Sequence, residues 1–123
     1  MSQYRRQPVA APPAEVVATL RGALQERGFT EYAVVDHGHD MAAAGAPAHP
    51  AWTLIFGNPT AGAKLLDQDL AAAVDIPLRL AVIGAEGGGS EIIARDMRTL
   101  LPDHLRLADA YNEALGLLAT SAG

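Results

Sequence analysis

The sequence predicts an α+β domain with helices packed on one face of a largely antiparallel sheet, in the rough order β-α-β-β-α-β-β-α. Three observations carry that class. Trp52 to Phe56 and Leu78 to Ile83 alternate bulky apolar residues with others, as half-buried strands do. The intervening stretches keep helical spacing. The run Gly87-Gly88-Gly89-Ser90 turns one strand straight back into Glu91 to Ala94, which is a hairpin. No glycine fingerprint follows the first strand, so a layered sheet with helices on one side fits better than a doubly wound parallel one.

Each element has a local reason. Tyr4 to Val9 reads as a short first strand, and Pro12-Pro13 marks a point at which a helix starts, because proline suits the first turn. From Glu15 the positions Val16, Leu20, Ala23, Leu24 and Arg27 keep one helical face, and Gly28 stands where a left-handed C-terminal cap is expected. Tyr32 to Asp36 is a β-branched and aromatic strand running into the polar knot His37-Gly38-His39-Asp40. Met41 to Pro50 reads as a short alanine helix and a loop fixed by Gly45, Pro47 and Pro50.

The third strand ends at Gly57-Asn58-Pro59. Asn58 suits the N-cap of a helix and Pro59 its first position, with Gly57 allowing the turn. Leu66, Leu70, Ala73 and Val74 then give an apolar helical face that Ile76-Pro77 stops. Asp96 or Asp103 is the expected cap of a last helix over about 103–119, along which Ala108, Tyr111, Leu115 and Leu118 share a face; Thr120 to Gly123 is expected to fray. One domain over 4–119 accounts for these elements, with no internal repeat.

Composition limits the function classes. A chain of 123 residues without cysteine has no disulfide, thiolate metal site or cysteine nucleophile. Its net charge of −5 and nine scattered Lys and Arg argue against nucleic acid as a partner. No stretch of about eighteen apolar residues suggests a membrane span, and no signal peptide is visible, so a cytoplasmic protein is expected. Alanine dominates the apolar half and aromatics are few, so a partner chain would add useful core.

The ordered set "ERGF" (Glu26 to Phe29), "VVDH" (Val34 to His37), "LIFGNPTAGAKLL" (Leu54 to Leu66) and "AAAVDIPLRLAVI" (Ala71 to Ile83) resembles the bacterial and archaeal domain of unknown function 302 family (DUF302). Members of that family run from an "IDH"-like strand end to "FGNPKAGTPLM" and a "DLPLK" strand. The match extends over about 4–97. It implies a fold likened to the TATA-binding-protein repeat and to the TT1751-like class, normally met as a homodimer, and it implies no established activity. Two departures stand out. The family's "YNDP"-like stretch is Ala94-Arg95-Asp96-Met97 here, and Thr60 replaces its usual lysine, with Lys64 further along.

Candidate site residues gather at the third strand's end. Gly57, Asn58, Pro59, Thr60 and Gly62, helped by Lys64, could hold a small anion, since a helix N-terminus presents free N–H groups and positive potential. The same residues also read as a well-made cap. The Walker spacing is absent and no cofactor motif is recognised. His37, at a strand end, is a candidate ligand contact, and a second reading makes it the acid or base of a small enzyme whose Asn58 and helix N–H groups steady an oxyanion. His37, His39, Asp40 and His49 are near enough in sequence to suggest a metal site, although a His-x-His pair is common. Ser90 and Ser121 lack a nucleophile elbow. Together these residues point to a dimeric anion-binding or structural module.

Overall fold

The computed structural model describes residues 3–122. Five strands, β1 (Tyr4–Val9), β2 (Thr30–Asp36), β3 (Ala51–Gly57), β4 (Leu78–Gly84) and β5 (Ser90–Arg95), form one sheet in the order β1-β5-β4-β3-β2. Every neighbouring pair is antiparallel. The helices are α1 (Pro13–Glu26), α2 (His37–Ala43), α3 (Pro59–Gln68), α4 (Met97–Leu100) and α5 (Leu105–Ser121), with a 3₁₀ turn at Leu70–Val74. The α+β class and the antiparallel sheet are as the sequence predicts.

Alternation along the central strands builds the core. Leu54 and Phe56 of β3, Leu80 and Val82 of β4 and Ile92 of β5 are buried on one face, against Val16, Leu20 and Leu24 of α1 and Ala108, Leu115 and Leu118 of α5. Each such large side chain contributes about 1.5–3 kcal/mol by leaving water. Phe29, just after α1, meets Phe56 edge to face with ring centroids 5.4 Å apart. The opposite face of the sheet presents Thr53, Ile55, Ala81, Ile83 and Ile93, all half-buried.

Caps end and start these elements. Pro13 opens α1, and Gly28 follows it with φ of 77°. In the β4–β5 turn Gly87 and Gly88 take positive φ, while a Cβ on Gly89 would stand 2.7 Å from the Val9 carbonyl oxygen. Ser90 is buried there because its hydroxyl donates to the Ala11 carbonyl at 2.7 Å. Asp96 caps α4, and the buried Asn112 links α5 to that cap: its Oδ1 accepts from Met97 N at 2.8 Å and its Nδ2 donates to Asp96 Oδ1 at 2.9 Å.

Several expectations need correcting. The strand β2 stops at Asp36, whose side chain accepts from His39 N and so caps α2; His37 and His39 are helical and do not share a strand face. The helix after Asn58 ends at Gln68, because Asp69 is extended, with φ −154° and ψ 91°. Leu65 is therefore its buried residue, while Leu70 and Val74 are exposed. Neither Asp96 nor Asp103 caps the last helix: His104 is its N-cap residue, and its side chain makes no capping bond. That helix continues to Ser121 instead of fraying at Thr120; Gly123 lies outside the described residues.

Candidate functional site

At the end of β3 the chain turns as a capped junction. Asn58 is extended, and its Oδ1 accepts from Thr60 N at 3.0 Å and Ala61 N at 3.3 Å. Gly62 N donates to Asn58 O at 2.9 Å, the first helical bond of α3. Two donors that a bound anion would need are thus already used by the cap. Gly57 is a buried strand residue without positive φ, so it does not supply the turn; a Cβ there would stand 3.4 Å from the Tyr32 ring.

The helical period then divides the predicted set between two flanks of α3. On one flank Gly57, Asn58, Pro59 and Gly62 line a cleft of about 290 Å³, together with Tyr32, Leu66, Ile76, Pro77 and Tyr111. On the other, Asn58, Thr60 and Lys64 line a groove of about 660 Å³ whose second bank is the start of α5, with His104 and Arg106. Asn58 borders both.

The groove has a distinct electrostatic character. Lys64 and Arg106 line it from two different helices, and neither has an ion-pair partner among the described residues. Asp103 is the carboxylate in its wall. His104 is held instead by Asp69, with Nε2 3.1 Å from Oδ2. The cleft is different: its lining carries no charged side chain, and burial pushes the Tyr111 hydroxyl above its ordinary pKa.

His37 belongs to neither. Its Nε2 lies 2.7 Å from Thr53 Oγ1, near the start of β3, whereas Asn58 follows the end of that strand. Asn58 lies five residue steps along the chain from Thr53, about 16 Å of strand. The antiparallel pairing of β2 with β3 dictates this, since it sets the end of one strand beside the beginning of the next. A shared corner of His37 and Asn58 does not exist, and the acid–base reading built on it loses its geometry. Among the described residues no three of His, Cys, Asp and Glu come together as a metal-sized group.

Sequence reasoning missed His104, Arg106, Tyr32 and Tyr111. The expected cap at Asp103 does put a helix start just before Arg106, but nothing local to it points to Lys64.

The family model "Domain of unknown function DUF302" matches residues 5–120, and the chain belongs to that family. Its fold is that of an uncharacterized conserved DUF302 protein from Bacillus stearothermophilus, with TM-score 0.91, 19% identity and full coverage of both chains. Among curated proteins it is similar to the fluoride-specific ion channel FluC 1 of Brucella suis, 26% identical over 110 residues that cover 89% of this chain and 43% of that one. The FluC 2 channel protein of Brucella melitensis matches at the same identity, with 40% of its length covered. The chain thus spans about two fifths of these curated relatives. No helix of the described residues is long and apolar enough to cross a membrane.

Proposed function

We propose that the chain is a homodimeric, cytoplasmic module that binds a small inorganic anion in the groove between α3 and the start of α5. Lys64 and Arg106 supply the charge, and Thr60 and Gln68 offer hydrogen bonds from the same groove. One observation carries the reading: two cations from separate helices line one groove without ion-pair partners among the described residues. An anion between them would gain charge-assisted hydrogen bonds from both. The curated relatives are named for an anion, fluoride, which supports that ligand class. Asn58, by contrast, acts through the fold, as the cap that sets the direction of α3.

The test is a thermal-shift titration with fluoride, chloride, phosphate and sulfate. Anion at a hundred times its Kd should stabilise the parent by about 2.7 kcal/mol, a rise of several degrees at this size. The same titration of the Lys64→Ala/Arg106→Ala double variant should be flat.

The face of the sheet opposite α1 and α5 is our choice for the contact between two copies. Its centre, Ile55, Ala81, Ile83 and Ile93, is apolar, and Arg6 with Glu91 stands at its margin, 2.6 Å apart. Light scattering of the parent should give a dimer, and Ile93→Lys should give a folded monomer.

A further inference from the structure

We propose that the cleft on the opposite flank of α3 is a separate binding site, for a small uncharged aromatic molecule that carries a hydrogen-bond acceptor. The site does not depend on the anion groove. Its volume, about 290 Å³, is at the lower end of small-molecule pockets, with room for one or two rings and not for a nucleotide.

Three features define the occupant. No charged side chain lines the cleft, so an ion placed there would lose its water without gaining a partner; the ligand is neutral. Tyr32, on the edge strand β2, is 54% exposed, and Leu66, Ile76 and Pro77 also line the cleft, giving apolar walls that suit a flat ring. Tyr111 is only 7% exposed, lines the same cleft, and makes no hydrogen bond to the described residues. Its hydroxyl keeps contact with solvent, since no fully buried side-chain N or O among the described residues lacks a partner, and it is paired with water while the cleft is empty. An acceptor atom on the ligand would replace that water and take the hydrogen bond that the hydroxyl donates.

Gly62 opens the site. A Cβ there would meet only Ile76 Cδ1, at 3.8 Å, so the space beside it is free and not enforced by a clash.

Amide NMR spectra of the whole chain, titrated with benzamide, benzoate and cyclohexanecarboxamide, test this. Benzamide should move the Gly57 and Gly62 amides saturably, and the charged and non-aromatic analogues should bind at least about tenfold more weakly. Tyr111→Phe, which removes the hydroxyl and keeps the ring, should weaken benzamide several-fold in a protein with an unchanged spectrum elsewhere. Gly62→Leu, filling the space from a helical position, should abolish it. The proposal is overturned if benzoate binds as well as benzamide, if Tyr111→Phe binds equally, or if no probe gives a saturable shift. It is equally overturned if diluting the protein alone moves these amides, because a second copy then covers the cleft.

Discussion

His104 Nε2 lies 3.1 Å from Asp69 Oδ2, so the residue that precedes α5 is tied to the residue that follows α3. This bond joins the two banks of the groove proposed to hold an anion. Lys64 stands on one bank and Arg106 on the other, and their separation depends on how the two helices are held.

Breaking the tie should therefore weaken the groove without touching its charges. Asp69→Ala is expected to lower anion affinity several-fold with Lys64 and Arg106 intact, measured by calorimetry. Because Asp69 also carries negative charge near the groove, Asp69→Asn provides the control: it removes that charge but can keep a hydrogen bond to His104. If the bond positions the cations, Asn restores most of the lost affinity.

Asn58→Ala separates cap from cradle. Losing the acceptor for Thr60 N and Ala61 N should cost about 1 kcal/mol in urea denaturation. Anion affinity should stay within about twofold of the parent, since the charge comes from Lys64 and Arg106. A loss of affinity much larger than that would return Asn58 to the binding site.

Gly62→Ala should raise stability by roughly 0.5–1 kcal/mol, because alanine is the better helix former and the added Cβ has only ordinary contact with Ile76. Thermal unfolding checks it. Gly89→Ala should do the reverse, since its Cβ would collide with the Val9 carbonyl.

Acid should weaken the α4–α5 junction. The hydrogen bond from Asn112, then that from Arg98 N, hold the Asp96 carboxyl below its ordinary pKa of 3.8. The folded state thus binds this proton less readily than the unfolded chain. The stabilisation is fully present well above the unfolded value, and it is lost as pH falls through about 4 toward the lower folded pKa. Urea midpoints measured from pH 6 to pH 3 should fall in that window, and the fall should be shallower in Asp96→Ala. Asp109, lowered by its bond to Arg98, contributes in the same window.

The fold was largely legible because its signals are local. Alternation at Trp52 to Phe56, the Asn58-Pro59 cap and the glycines before Ser90 each fix a conformation from neighbouring residues alone. Where local signals compete, the reading slipped: Leu70 and Val74 continue the helical period on paper, but Asp69 breaks the backbone first and leaves both exposed. His37 was misplaced for a topological reason, since the ends of successive antiparallel strands alternate between the two edges of the layer. Within the site, Thr60, Lys64 and Gln68 share a face at i, i+4 and i+8, a pattern visible in the sequence. Arg106 joins them through the packing of α5, and Tyr111 reaches the cleft in the same way, which no spacing near Asn58 encodes.

The most direct measurement is a double-mutant cycle on anion binding, with calorimetric titration of the best anion from the thermal screen into the parent, Lys64→Ala, Arg106→Ala and the double variant. If the two cations grip one anion, each single variant should lose most of the affinity and the double should lose little more than either. Unchanged affinity in the double variant, or independent losses that simply add, would contradict a shared site.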